Sequence, residues 1–143
     1  MRGILALMGT VQVRFLSPEI AVLALTGEHD LSTLGQVKPA LAAARPAQHI
    51  VVDFSACTFA DSVVITTILR AWRDQQDAGG EISIVAPLEP NHVRRAMELM
   101  GIDRFLPLHT SREAAVAALP RRRRLRLSAV SERIDAHRNR AEA

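Results

Sequence analysis

The pair Asp61-Ser62 is the most chemically suggestive feature of the sequence, because a buried strand is predicted to lead through a loop to a helix that begins there. A serine at the start of a helix caps the unpaired backbone N–H groups of the first turn. The same place suits an added phosphate, since the helix dipole and those N–H groups attract negative charge. A phosphoserine beside Asp61 would form a concentrated negative patch that repels a docked partner. Two interpretations follow, a structural cap and a phosphorylation switch.

Three aspartates, Asp30, Asp53 and Asp61, are candidates to converge at one edge of a parallel sheet, where α/β folds place their sites. Three carboxylates together would suggest Mg²⁺. Acidic residues near strand ends also cap helices and anchor loops, and this is the interpretation that we favour. We therefore expect no metal site and no cofactor.

Signatures of catalysis are absent from the sequence. It contains no Gly-rich phosphate loop with a lysine, no G-x-S-x-G turn and no H-E-x-x-H helix. The five histidines are scattered singly, which is typical of ordinary surface or turn positions, and no nucleophile has a base at a suitable spacing. We predict that the protein is not an enzyme.

Charge divides the chain into two parts. Residues 120–143 carry eight arginines and three acidic residues, whereas residues 1–119 carry ten basic and twelve acidic residues. The pattern predicts one folded domain over 1–119 that does not bind nucleic acid through its core. It predicts a basic tail over 120–143 that is weakly helical or disordered. Binding of an acidic partner or nucleic acid, and docking on its own domain, remain alternatives for the tail.

No apolar run approaches the roughly 20 residues that span a bilayer, and the N-terminal run lacks a convincing signal cleavage site. The single Cys57 has no partner for an internal disulfide. We therefore expect a cytoplasmic protein that does not associate with membranes.

Hydrophobic periodicity predicts strands that alternate with helices, which indicates α/β layers around a largely parallel sheet. The first two strands are separated by about two residues and should pair antiparallel, so the sheet is mixed. A helix after Ser62 carries one apolar face, formed by Ile65, Ile68, Leu69 and Trp72. The other helices are predicted to begin near residues 33, 92 and 112, and the strands to occupy 11–16, 19–27, 49–54, 81–87 and 106–109.

Two motifs resemble those of a known family. Residues 53–65 read D-F-S-A-C-T-F-A-D-S-V-V-I, which is similar to D-x-S-x-x-x-F-x-D-S-S-G-L. Residues 27–33 read G-E-H-D-L-S-T, which is similar to G-E-L-D-x-x-T. Both motifs, at the right separation, resemble the STAS domain and in particular the anti-sigma factor antagonists. The resemblance covers roughly residues 11–119.

The resemblance implies a mixed sheet with helices packed largely on one side, and a function in partner switching. Antagonists of this family bind an anti-sigma factor, often a serine kinase, and thereby release a sigma factor. The kinase phosphorylates a serine of the antagonist, which breaks the complex, and a phosphatase restores binding. Matched by position, Ser62 is the phosphoacceptor. The implied partner-binding residues are Glu28, Asp30, Thr58, Asp61, Val63 and Val64.

One departure from the family pattern concerns the residues after Ser62. The family has S-G-L where this chain has Val63, Val64 and Ile65. A glycine at the middle position would let the partner backbone approach, whereas a β-branched valine restricts it. The alternative function is therefore a STAS module that senses a ligand or acts as a scaffold, without a phosphorylation switch.

Overall fold

The computed structural model describes residues 8–88 and 91–119. Within these ranges, five strands alternate with helices. The strands are β1 (Thr10–Ser17), β2 (Ile20–His29), β3 (His49–Ala60), β4 (Glu81–Val85) and β5 (Leu108–His109). The α-helices are α1 (Leu34–Ala44), α2 (Ser62–Asp77), α3 (His92–Leu99) and α4 (Arg112–Ala117), with short 3-10 helices at Leu31–Thr33 and Ile102–Arg104.

The strands form one sheet in the order β1-β2-β3-β4-β5. The pair β1–β2 is antiparallel, and every later pair is parallel. A tight turn suffices for the first pair, whereas each parallel pair needs a crossover, which α1, α2 and α3 provide. The prediction of a mixed α/β sheet with an antiparallel first pair is confirmed.

The two faces of the sheet are covered unequally. Helices α1, α2 and α3 pack on one face, where alternate residues of the inner strands, such as Ile50 and Val52 of β3, enter the main core. On the other face, which we call the underside, the short helix α4 packs through Ala115 against Val22, Val51 and Val85. Burial on both faces explains why the start of β3 is apolar at consecutive positions.

The apolar face predicted for α2 is largely buried. Ile65 and Ile68 lie in the core, while Leu69 and Trp72 pack against it and are half-buried. The polar residue Gln75, near the end of α2, is also buried. Its side-chain amide donates to the carbonyl of Ala47 over 2.6 Å.

The predicted loop between β3 and α2 is wrong, since β3 continues to Ala60. Register shifts opposite Ala24/Thr26 and Gly27/Glu28 keep β3 paired with β2 beyond Asp53. These irregularities interrupt the simple alternation of buried and exposed residues, which is why the periodicity was lost after Phe54.

The basic tail predicted for residues 120–143 lies outside the described residues, as does the N-terminal apolar run over 1–7. Among the helices of the described ranges, none has the length and apolar character to cross a membrane.

Candidate functional site

Strands β2 and β3 end side by side, and this edge brings together the two motifs of the sequence. The backbone N–H of Asp61 donates to the carbonyl of His29 over 3.1 Å, so the residues that follow the two strands are neighbours. Most of the residues around this junction are exposed, and three of them are acidic. We call this surface the acidic edge, and it consists of Glu28, Asp30, Thr58, Phe59, Asp61, Ser62 and Val63.

Each aspartate of the acidic edge begins a helix. The Asp61 carboxylate accepts from the backbone N–H of Val64 over 3.0 Å and is the N-cap of α2. The Asp30 carboxylate accepts from the backbone N–H of Ser32 over 2.8 Å and caps the 3-10 helix before α1. The Ser32 hydroxyl also donates to Asp30 and, together with the backbone bond, lowers the pKa of that carboxyl. Both carboxylates are therefore fixed in orientation by local bonds.

Ser62 is the first residue of α2 and is exposed. Among the residues that the structure describes, its hydroxyl makes no hydrogen bond, because Asp61 takes the capping position. The interpretation of Ser62 as a structural cap is therefore wrong. Its hydroxyl is exposed at the N-terminus of α2, next to the Asp61 carboxylate.

The structure also corrects the assignment of Val64 as a partner-binding residue. The side chain of Val64 is 0% exposed and lies in the core with Ile65 and Ile68, whereas Val63 is 40% exposed. Successive helical residues are rotated by about 100°, so the two valines point in different directions. Only Val63 is available to a partner.

The sequence did not identify two exposed apolar side chains here, one within the acidic edge and one directly beside it. Phe59, at the end of β3, is 40% exposed, and Leu31, directly after Asp30, is 68% exposed. A large apolar residue beside a polar motif was the signal that could have indicated them. Together with Val63, they give the acidic edge apolar contact area next to its charges.

A buried histidine lies beneath the acidic edge. The Nδ1 atom of His29 lies 3.0 Å from the Thr33 hydroxyl, and Nε2 donates to the carbonyl of Thr26 over 3.1 Å. Burial lowers the pKa of His29, and bonds to backbone carbonyls oppose this only partly. Gly9 packs so closely that a Cβ atom there would come within 2.7 Å of the ring. The expectation that each histidine has a surface or turn position is wrong for His29.

Asp53 does not reach the acidic edge. It is 3% exposed, accepts from the backbone N–H of Ser55 over 2.8 Å, and pairs with Arg112 of α4 over 2.5 Å. Burial would raise the pKa of Asp53, but the bonds from Arg112 and Ser55 hold it below its ordinary value. The three aspartates therefore do not converge, and the described residues contain no group of three or more potential metal ligands.

A serine and a histidine meet elsewhere in the sheet, contrary to the expectation that no nucleophile has a base nearby. The Ser83 hydroxyl of β4 lies 2.9 Å from Nε2 of His49 in β3, and Nδ1 of His49 lies 3.7 Å from the Glu81 carboxylate. Ser83 and His49 are only 2% and 5% exposed. At that exposure the contact satisfies buried polar groups and presents no accessible nucleophile.

The acidic edge, the two motifs and most of the mixed sheet lie within one family match. The family model described as Mlab, STAS domain, matches residues 15–108 of the chain. The chain belongs to the STAS domain family. The resemblance noted in the sequence is confirmed at this level, and the STAS match includes the whole of β2, β3 and β4 and ends at the first residue of β5.

Solved structures share the STAS fold. An anti-sigma factor antagonist from Mycobacterium paratuberculosis is 24% identical, with a TM-score of 0.70 over 78% of this chain and 94% of that one. The Bacillus cell fate determinant SpoIIAA in its phosphorylated form is 20% identical, with a TM-score of 0.62 over 78% and 100%. The anti-sigma factor antagonist SpoIIAA in its unphosphorylated form is 21% identical, with a TM-score of 0.62 over 75% and 93%. A search of curated proteins found no significant match.

Proposed function

We propose that this STAS domain is an anti-sigma factor antagonist that binds an anti-sigma factor with serine kinase activity through the acidic edge. Phosphorylation of Ser62 then breaks the complex, and a phosphatase restores it. The observation that carries the proposal is the exposed Ser62 hydroxyl at the start of α2, with the neighbouring Asp61 as the helix cap. A protein of similar fold, SpoIIAA, has been solved in phosphorylated and unphosphorylated forms, which supports a phosphorylation site in this fold.

The position of Ser62 explains how a phosphate would act without unfolding the domain. A phosphoserine carries a charge of about −1.5 to −2 at neutral pH. The positive end of the α2 dipole stabilises that charge, so the helix should persist. Asp61 already occupies the backbone N–H of Val64, so the phosphate projects outward and adds to the negative charge of Asp61 and Asp30. A partner that approaches this edge would therefore be repelled.

The proposed partner contacts are Glu28, Asp30, Thr58, Asp61 and Val63, with Phe59 and Leu31 added on the basis of their exposure. Such a surface suits a partner with basic side chains around an apolar patch. The inward direction of Val64 supports the switch, because a valine in place of the family glycine puts no side chain between Ser62 and the partner.

The proposal makes the protein a binding module and not an enzyme. Its substrate role is limited to accepting a phosphate from the kinase, and it needs no cofactor of its own. Because sigma factors act on RNA polymerase in the cytoplasm, the proposal also places the protein there.

Two substitutions at Ser62 test the proposal, one that removes the hydroxyl and one that adds a negative charge. The anti-sigma kinase that co-purifies with the protein from its native cells is mixed with ATP and the wild type, and the intact mass is measured. We expect one added phosphate in the wild type and none in Ser62→Ala. Ser62→Ala should remain bound to the kinase, and Ser62→Asp should bind more weakly through repulsion at the interface.

A matched control adds the same charge at the opposite end of the sheet. Ser17 accepts from the backbone N–H of Glu19, and an aspartate can accept the same bond, so Ser17→Asp should bind as the wild type does. If Ser62 takes up no phosphate and Ser62→Asp binds as tightly as the wild type, the switch is refuted. The protein would then be a STAS module that senses a ligand or acts as a scaffold.

A further inference from the structure

A groove of about 410 Å³ runs between α1 and α2 on the helical side of the domain. Aliphatic side chains form its apolar part, and Ile50 of β3 lies at its base. Polar and charged side chains of both helices stand around it. The apolar lining consists of Leu34, Leu41, Ala42, Ile50, Val63 and Ala71.

The charges around the groove are unbalanced. Lys38 of α1, Arg45 at its end and Arg70 of α2 line the groove together with a single acidic residue, Asp74. All three basic side chains are exposed, and none forms an ion pair with another residue of the described ranges. The groove is therefore positive, although residues 1–119 carry more acidic than basic residues.

The groove is continuous with the acidic edge. A second depression, of about 220 Å³, is lined by Ser62, Val63, Thr66, Thr67 and Arg70. Val63, Thr67 and Arg70 line both spaces, so the positive groove opens beside the Ser62 hydroxyl. A partner seated on the acidic edge would extend naturally into it.

We propose that the groove binds an acidic segment of the partner that also carries one or two aliphatic side chains. This inference rests on the proposed function and names a second contact beside the Ser62 site. The aliphatic side chains enter the apolar lining, and the flanking carboxylates pair with Lys38, Arg45 and Arg70. A negative edge next to a positive groove admits a partner in one orientation only, because rotation would oppose like charges.

A synthetic peptide tests the groove without the partner. The probe is a helical peptide with leucine every three or four residues and glutamate between them. The control peptide has the same leucines, with lysine in place of each glutamate. In NMR titrations of the full chain, the acidic peptide should shift the amide signals of α1 and α2 around Lys38 and Arg70. The basic peptide should shift none of these signals. Added salt should weaken binding of the acidic peptide, because it screens the attraction between charges.

Two charge reversals on one helix provide the matched pair of variants. Arg70→Glu should weaken binding of the acidic peptide by about tenfold or more, since it replaces an attraction with a repulsion. Arg73→Glu makes the same change at an exposed position that lines neither space and should leave binding unchanged. Equal effects of the two variants would show non-specific attraction and overturn the proposal.

The remaining outcomes are also decisive. Signals that shift elsewhere, or not at all, would refute the groove as a site for an acidic segment. A dimer that dissociates in Arg70→Glu would assign the groove to a second copy of the chain and equally refute the proposal. Because the peptide test requires neither the kinase nor a phosphate, its failure is distinguishable from a failure of the Ser62 switch.

Discussion

The acidic edge and the underside of the sheet use aspartate for opposite purposes. At the edge, Asp30 and Asp61 follow parallel strands, cap the helices that come next and remain accessible. On the underside, Asp53 lies within β3, is buried, and is neutralised by Arg112, which is 59 positions away in the sequence. In this sheet, the position of a carboxylate relative to the end of its strand decides whether it serves the surface or the core.

The two regions should therefore respond differently to substitution. The Asp53 carboxylate is buried whereas its partner Arg112 is exposed, so loss of Arg112 leaves a buried charge without compensation, which lowers stability. An exposed capping carboxylate contributes less to stability, but its charge faces the proposed partner. Changes on the underside should thus lower stability and leave partner binding unchanged, whereas changes at the edge should cost less stability and weaken partner binding.

The largest expected effect on stability is that of Arg112→Ala. The substitution leaves the buried Asp53 carboxylate with the backbone bond from Ser55 but without a cation, and should lower the free energy of unfolding by about 1–3 kcal/mol. Urea denaturation measures the change. Arg95→Ala, which removes an exposed arginine that forms no ion pair in the described ranges, should stay within about 0.5 kcal/mol of the wild type. An unchanged free energy of unfolding in Arg112→Ala would mean that the underside tolerates substitution as well as the edge does.

Two substitutions at Asp61 separate its capping role from its charge. Asp61→Ala removes the cap of α2 and should lower the free energy of unfolding by about 0.5–2 kcal/mol. Asp61→Asn retains a capping oxygen and removes the charge, so it should keep most of the stability and still bind the kinase more weakly. The comparison between edge and underside would fail if Asp61→Asn lost stability and bound normally.

The pH dependence of stability should report the buried His29. Burial holds its pKa in the folded protein below the ordinary 6.5, so the unfolded chain binds a proton first as the pH falls. The free energy of unfolding should therefore decrease below about pH 6.5. In His29→Leu, which has the family residue at this position, the decrease between about pH 7.5 and about pH 5.5 should be smaller. An identical pH profile in both proteins would show that His29 has the same pKa in the folded and unfolded chain, and that burial beneath the edge does not lower it.

The smallest expected effect on stability is that of Ser62→Ala. Because Asp61 caps α2, removal of the Ser62 hydroxyl should change the free energy of unfolding by less than about 0.5 kcal/mol. Ser111 offers the matched contrast, since its hydroxyl accepts from the backbone N–H of Ala114 over 3.0 Å and caps α4. Ser111→Ala should cost about 0.5–2 kcal/mol in the same denaturation experiment. Equal losses in the two variants would restore a structural role to Ser62.

Much of the fold could be predicted from the sequence, because periodicity records which residues face a core. The alternation of strands and helices, the antiparallel first pair and the buried positions Ile65 and Ile68 follow from local pattern alone. The sequence also predicted a helix directly after Asp61, with either residue of the pair Asp61-Ser62 near its start. It did not distinguish which of them is the cap, because aspartate and serine are both good N-cap residues. The choice depends on whether the helix begins one residue earlier or later.

Only the tertiary structure decided which side chains meet across the sheet. Asp53 pairs with Arg112, and Ser83 meets His49, because strand register and the docking of α4 bring distant segments together. The different directions of Val63 and Val64 likewise depend on how α2 is rotated against the sheet. Local sequence determines what each segment prefers to be, but contacts between segments depend on register and rotation, which no short stretch of residues specifies.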